Sequence, residues 1–361
     1  MLKFYLLVAT RLKIFFTLIF RNGVSLRPRI ILFFPFLVQS SVWSSLVAWN
    51  EKRIYAKKIR STPLPTDPVF IIGHWRTGST FLHQIFQCDP HFTTPTLMQC
   101  TYPESYISAR RSITLVMNFF LAEKRPMDNV RLGLNDPQED EYVLFRMTGI
   151  SPIEKLIFPR TSQYFLMDTR HLKLTDSQRI VWEKALIHFT KKLYMYTGRQ
   201  IVFKNPFHSF RIPTLRELFP DALFIHIYRD PRIVIPSTKH MWTIVGNHNA
   251  MRKEWRPPEF DEILNGFDTL MNSVYTDLSA LPQNKYIELR FEDLEQNPVP
   301  AVKSLYQHFG FEYSNAFETQ LNTLLKRLSS YQKNRYEISK DEDKRICSRL
   351  EHHMKRGGYS Y

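Results

Sequence analysis

The chain has 361 residues, 43% of them apolar and 14% aromatic, which suits one large or two ordinary domains with a sizeable core and excludes an intrinsically disordered protein. Its formal charge of +15 is uneven: residues 1–60 hold eleven Lys and Arg against the single acid Glu51, so the anionic partner to expect is a membrane surface rather than nucleic acid. Cys88, Cys100 and Cys347 form no C-x-x-C and no paired framework, which argues against a disulfide-stapled domain or a cysteine zinc site and for a reducing, cytoplasmic setting.

Residues 2–20 are strongly apolar but interrupted by Lys3, Arg11 and Lys13. On a helix, Lys3, Thr10, Lys13, Thr17 and Arg21 fall within an arc of about 80°, a narrow polar stripe on a wide apolar cylinder. That pattern suits a helix lying in a membrane interface. A second run, residues 30–49, reaches spanning length, although Pro35, Gln39 and four serines weaken it as a transmembrane segment. Both helices could instead pack on the rest of the chain or on a partner. No cleavage motif follows either run, so a removed signal peptide is not expected. Residues 61–68, Ser-Thr-Pro-Leu-Pro-Thr-Asp-Pro, read as a stiff connector.

Residues 69–73, Val-Phe-Ile-Ile-Gly, have the continuous apolar character of a strand buried on both faces of a parallel sheet. A turn follows, then a helical pattern from Phe81 to Phe86. Strand, tight loop and helix aim backbone N–H groups at an anion. Gly73 and Gly78 have the spacing of a nucleoside-triphosphate loop, but Ser79 stands where that loop has its lysine, and the cation is Arg76. Ordinary ATP or GTP chemistry needs that lysine beside Mg²⁺. The alternative of a P-loop kinase or nucleotide hydrolase is therefore disfavoured.

The run Arg76-Thr77-Gly78-Ser79-Thr80 after a hydrophobic strand resembles the 5′-phosphosulfate loop of sulfotransferases that use 3′-phosphoadenosine 5′-phosphosulfate (PAPS). A second apolar strand pattern, residues 223–228, ends at Arg229, and Ser237 follows on the next helix. Arginine at a strand's carboxyl end is on the ligand side of an open α/β sheet. This segment resembles the family's 3′-phosphate motif, which implies that Arg229 and Ser237 grip the 3′-phosphate and that Arg76, Thr77, Gly78, Ser79 and Thr80 hold the 5′ end. Phe219-Pro220-Asp221-Ala222 and Phe291-Glu292-Asp293-Leu294 look like further family landmarks, the latter read as a structural anchor of a strand end. The resemblance covers about residues 66–312 and is nearest the divergent, bacterial-type branch. The glycine-rich C-terminal signature that closes over the donor in cytosolic members is missing. Lys333 and Arg335 are weak substitutes for it.

Sulfuryl transfer is chiefly positioning and charge stabilisation. Arg76 is the natural stabiliser of the phosphosulfate, and the resemblance places Lys204, at the end of another strand, near the sulfuryl group. No metal is expected. The acceptor, a hydroxyl or amine, needs a general base. Glu139, His208 and Glu104 are the choices, and His83 reads as a packed histidine. The acids of residues 136–141 also have a structural reading, with Asp136 as helix N-cap and Pro137 in the first turn. A lipid, glycolipid or other membrane-borne acceptor would fit the basic apolar N-terminus.

The fold expected is a three-layer, P-loop-like α/β domain, with parallel strands near 69–73, 201–204, 223–228 and 286–290 and amphipathic helices ahead of it. Residues 105–198 should be largely helical and border the acceptor site. The domains expected are an N-terminal segment 1–60, a catalytic domain 61–330 and a helical tail 331–361 ending in a flexible Gly357-Gly358. A non-catalytic, membrane-associated nucleotide-binding protein is a second alternative, opposed by the presence of Arg76, Lys204, Arg229 and Ser237.

Overall fold

The computed structural model describes residues 5–120, 133–160, 174–329 and 336–360. Helices α1 (Leu12–Asn22) and α2 (Pro28–Ser61) precede strand β1 (Val69–Ile72) and α3 (Ser79–Gln87). Next come β2 (Phe92–Thr93), α4 (Leu97–Thr101), α5 (Arg110–Phe120), α6 (Glu141–Thr148), α7 (Ile153–Ile157) and α8 (Asp176–Thr197). They are followed by β3 (Gln200–Lys204), a 3-10 turn at Pro206–Phe210, α9 (Ile212–Leu218), β4 (Leu223–Tyr228), α10 (Pro231–Asn249) and α11 (Phe260–Ser279). Strand β5 (Tyr286–Arg290) then leads to α12 (Phe291–Gln296), α13 (Pro298–Phe309), α14 (Asn315–Leu328), α15 (Lys340–Arg349) and α16 (Glu351–Arg356).

The chain divides into two compact units that interleave in sequence. One comprises Met1–Pro65, Pro95–Gly198 and Trp242–Pro258; the other comprises Thr66–Thr94, Arg199–Met241 and Glu259–Tyr361. These differ from the boundaries at 61 and 331 expected from sequence. The N-terminal segment belongs with the helices of 95–198, and the tail belongs with the sheet.

The sheet unit holds five strands in the order β2-β3-β1-β4-β5, every pair parallel. All four strands expected from sequence are present, and the short edge strand β2 is additional. Alternation along β1 explains the three layers. Val69 and Ile71 point to one face, where they join Leu82, Ile85, Phe86, Leu305 and Tyr306 from α3 and α13. Phe70 points to the other face, where it stacks on its register partners Phe203 and Phe224 with ring centroids 5.5 and 5.6 Å apart. Helices α9 and α11 and the 3-10 turn pack with one another in this unit.

The helical unit is organised by a buried ion pair. Glu51 of α2 and Lys192 of α8 are within contact distance and have 2% and 1% of their side chains exposed. Burial alone pulls the Lys192 pKa down, and Glu51 opposes that pull. The other Glu51 oxygen accepts the N–H groups of Ile107 and Ser108 at 2.9 and 2.7 Å, and Lys192 donates to the Pro103 carbonyl at 2.7 Å. Two helices thereby fix the 103–108 segment. Leaving either charge without its partner costs about 3–5 kcal/mol.

The first helix departs from the sequence reading. Residues 5–9 form turns, Thr10 of the supposed polar stripe is fully buried, and α1 begins only at Leu12. Its apolar residues Phe15 and Leu18 are completely enclosed. Serines of α2 supply the partners: Ser45 accepts the Leu12 N–H at 2.8 Å, and Ser44 donates to the Ala9 carbonyl at 2.8 Å. Asp136 also differs. It caps no helix, since α6 starts at Glu141, and its carboxylate accepts the Gly133 N–H at 2.6 Å while Pro137 bridges Thr96.

The sheet unit buries histidines that its packing keeps neutral. Burial lowers His83 and His226 to about 3, and His74 and His353 to about 4. A base whose folded pKa is depressed binds fewer protons folded than unfolded, so stability is complete above the unfolded value near 6.5 and falls as pH drops towards the folded value. Each such histidine removes up to about 1.4 kcal/mol per pH unit in that window. Thermal unfolding followed from pH 7 to 5 should show a falling Tm. His226→Phe, at a site whose ring nitrogens have no hydrogen-bond partner among the described residues, should flatten the slope.

Candidate functional site

The loop after β1 is shaped by what it cannot accommodate. Gly73 has φ +134°, and a β-carbon there would lie 2.3 Å from the Ile227 carbonyl oxygen of β4. Gly78 has φ +89°, and a β-carbon there would lie 2.0 Å from the Phe291 ring. Between them Arg76 is held at φ +69°, a left-handed conformation that non-glycine residues seldom adopt. Ser209 clamps the loop's entry, accepting the Gly73 N–H at 2.8 Å and donating to the Gly73 carbonyl at 3.1 Å. His74 and Trp75 turn inward onto Phe267 and Phe207. Thr77 donates to the His74 carbonyl at 2.8 Å. Gly78 is the N-cap of α3 and supplies no side-chain cap, so the first-turn N–H groups at Ser79 and Thr80 suit an anion.

The second half of the site meets the first directly. The Arg76 Nε donates to the Ser237 Oγ at 2.9 Å, across 161 residues of sequence. Arg229 lies at the end of β4, its Nη1 3.5 Å from the Arg76 carbonyl and its guanidinium 4.4 Å over the Phe291 ring. Burial lowers the Arg229 pKa from 12.5, and Glu295 and Glu292 counter it, so the group keeps its charge. Asp230 does not pair with Arg229. Its carboxylate accepts the Arg232 N–H at 2.9 Å and the Arg232 guanidinium at 2.7 to 3.1 Å, which fixes the start of α10. A hydroxyl has one proton and two acceptor sites, so Ser237 can receive Arg76 and still donate to a phosphate oxygen.

Sequence reasoning undervalued Phe291 and Glu292, treating them as a strand-end anchor. Phe291 both closes on Gly78 and carries the Arg229 guanidinium. Glu292 accepts the Asp230 N–H at 3.1 Å, and its other oxygen accepts the Tyr359 hydroxyl at 2.9 Å. The tail end is thus tied down: Tyr359 is 7% exposed, where a flexible end was expected. Nothing in the spacing of Phe-Glu-Asp marks its target. Its place immediately after a strand, on the ligand side of the sheet, was the available signal.

The remaining candidates separate by environment. Lys204 ends β3, paired in register with Ile71, and is 3% exposed; its charge helps to depress His83. His83 is fully buried with Nε2 3.1 Å from the Val202 carbonyl, a packed histidine as expected. His208 is also fully buried, edge-on to Phe70 and 3.4 Å from an Arg211 nitrogen. Glu139 and Glu104 belong to the helical unit. Glu139 is partly exposed on the stretch between the Thr96–Pro137 bridge and α6. Glu104 is bonded to Arg11 at 2.7 Å; burial raises its pKa, and the charges of Arg11 and Lys192 oppose the rise. Lys333 and Arg335 lie outside the described residues. Among the described residues one group of potential metal donors gathers, Asp268, His352 and His353, and it includes no residue of the loop; His353 bonds Asp268 at 2.8 Å and docks α16 on α11.

Comparison with known proteins agrees with this geometry. Residues 68–315 match the model of the sulfotransferase family. Omega-hydroxy-beta-dihydromenaquinone-9 sulfotransferase Stf3 of Mycobacterium bovis is 33% identical over 314 residues, spanning 84% of this chain and 78% of the relative. The protein of the same name from Mycobacterium tuberculosis gives the same figures. Among solved structures, the sulfotransferase STF9 of Mycobacterium avium superposes with a TM-score of 0.72 at 16% identity, covering 98% of each chain. STF1 of Mycobacterium tuberculosis gives 0.64 at 15% identity, covering 93% of this chain and 89% of that one. The family-model match over residues 68–315, which takes in the Arg76–Thr80 loop and Arg229, together with 33% identity to the mycobacterial enzymes over 84% of the sequence, identifies the chain as a member of the sulfotransferase family.

Proposed function

We propose that the protein transfers the sulfuryl group of PAPS to a hydroxyl borne by a lipid. The observation that carries the donor assignment is the Arg76–Ser237 hydrogen bond, which joins two anion-binding motifs into one site for a 3′,5′-bisphosphate. The 5′-phosphosulfate sits on the loop, held by the N–H groups around Gly78, Ser79 and Thr80 and by the Thr77 segment. Arg229 and Ser237 hold the 3′-phosphate.

In the reaction the acceptor oxygen attacks sulfur in line with the bridging oxygen. The new S–O bond forms as the old one breaks, and the leaving nucleotide phosphate gains negative charge. Arg76 and Lys204 stabilise that charge; both are preorganised, so little rearrangement accompanies transfer. Glu139 takes the acceptor's proton. The full burial of His208 favours Glu139 over it and leaves His208 a role in holding the turn after β3. The lipid acceptor is supported by the mycobacterial relatives, whose name specifies a hydroxylated menaquinone, and by the basic apolar N-terminal helices. The protein would then work as a peripheral enzyme at the cytoplasmic face of a membrane.

Calorimetric titration with 3′,5′-bisphosphoadenosine (PAP), the product nucleotide, tests the donor assignment. Wild type should bind it equally with Mg²⁺ and with EDTA, whereas a P-loop kinase would need the metal. Arg229→Ala should weaken binding roughly 10- to 100-fold, the loss of charge-assisted bonds to a phosphate. Absence of binding to the wild type would overturn the reading.

Glu139→Gln should leave PAP affinity unchanged and lower kcat about 10²- to 10⁴-fold in sulfuryl transfer to a hydroxylated isoprenoid quinone. Unchanged kcat would remove Glu139 from the mechanism.

A further inference from the structure

The helical unit presents an apolar surface that its own packing does not cover. Helix α2 is long and apolar enough to cross a membrane, but its two sides differ. Ile30, Leu37, Ser41, Ser44, Ala48 and Glu51 form the buried side. At about 100° per residue these share one face, and Leu32, Val42, Leu46 and Trp49 lie on the opposite one. Leu32 is 75% exposed, Leu46 61% and Trp49 59%. The same exposed stripe continues as Arg53, Lys57 and Arg60, with the Arg53 guanidinium 4.7 Å over the Trp49 ring. A tryptophan and a cation where an apolar stripe turns basic form the pattern of an interfacial anchor.

Helix α5 adds a second apolar face that sequence reading did not single out. Only Ile113 of its eleven residues is buried, against Met98 and Tyr102. Leu115 is 74% and Phe119 83% exposed, and Val116 and Phe120 are more than a third exposed beside them. The two helices are joined by Phe36 and Phe120, whose ring centroids are 5.3 Å apart. Charge selects the occupant. Helix α5 begins with the exposed pair Arg110 and Arg111 and contains no acid, and the only acid of α2 is Glu51, which is buried. An apolar face with a cationic border and, among the described residues of the two helices, no exposed carboxylate fits anionic headgroups over acyl chains.

We infer that α2 and α5 together form the membrane-docking face, lying in one leaflet of an anionic bilayer with Leu32, Leu46, Trp49, Leu115 and Phe119 in the acyl boundary. Helix α2 does not span, because its other side is committed to α1 and α8 through the Glu51–Lys192 pair and the serine bonds. Helix α1 buries Phe15, Leu18 and Ile19 and leaves Phe20 as its one strongly exposed apolar side chain, so it offers no continuous apolar face to insert. The inference rests on the membrane-borne acceptor proposed above and deepens it. Helix α5 packs with Met98 and Leu134, which lead through a hydrogen bond from the Met98 N–H to the Leu134 carbonyl into the segment that carries Glu139. An acceptor drawn from the leaflet beside α5 emerges next to that segment.

The test is co-sedimentation of the full chain with vesicles of phosphatidylglycerol and phosphatidylcholine. Wild type should bind the mixed vesicles, bind pure phosphatidylcholine at least tenfold more weakly, and be released by alkaline carbonate. L115E/F119E in α5 and L46E/W49E in α2 should each weaken binding tenfold or more. I180E/V181E, placed at exposed apolar residues of α8, should bind as wild type. PAP titration of every variant verifies folding and keeps the two readings apart: vesicle binding without PAP binding would overturn the donor assignment alone. Wild-type affinity in L115E/F119E, or retention of the wild type after carbonate treatment, would overturn the docking face.

Discussion

The loop between β1 and α3 depends on two places where the backbone leaves no room for a β-carbon. At Gly73 the loop passes against the β4 carbonyls, and at Gly78 it passes against Phe291. These approaches set the path of the four residues between them and hold Arg76 in a conformation it would not choose. That conformation turns its side chain to Ser237 and its carbonyl towards Arg229. Strain at one residue is maintained because strand, helix and aromatic ring all over-determine the loop. The anion site is thus built by steric exclusion first, with charge placed on it second.

Much of this unit was legible in sequence because it obeys short-range rules. Runs of four to six mainly apolar residues became the central strands, and the loop's glycines and hydroxyls stood at the spacing expected of a phosphate loop. Arg229 and Ser237 were legible as a strand end followed by a helix. Phe291, Glu292, Ser209 and Tyr359 were not, since each acts on residues far away in sequence and no local pattern records its target. The base was not legible either. Acids of residues 136–141 satisfy helix-start chemistry as readily as catalysis, and only burial separates His208 from Glu139.

The N-terminal helices were only half legible for a related reason. Periodicity reports that a helix has an apolar side; it does not report what that side touches. In α1 most of the apolar side, Phe15, Leu18 and Ile19, is enclosed by protein, and Phe20 is not. In α2 it is divided, one stripe committed to the helical unit and another exposed. The lone acid of the first sixty residues, Glu51, decides which is which. A carboxylate amid basic residues looks incidental in the sequence, yet it is the buried partner of Lys192 and fixes the rotation of α2.

Glu292 stands between Asp230 and Tyr359, 62 residues from one and 67 from the other. This has a consequence for biosynthesis. The Ser209 clamp on Gly73 can form once β3 and β4 have left the ribosome, the packing of Gly78 against Phe291 has to wait for β5, and the Tyr359 brace on Glu292 comes last. A nascent chain therefore completes the arginine loop and the Glu292 brace at different times, and a chain released short of Tyr359 keeps the first without the second.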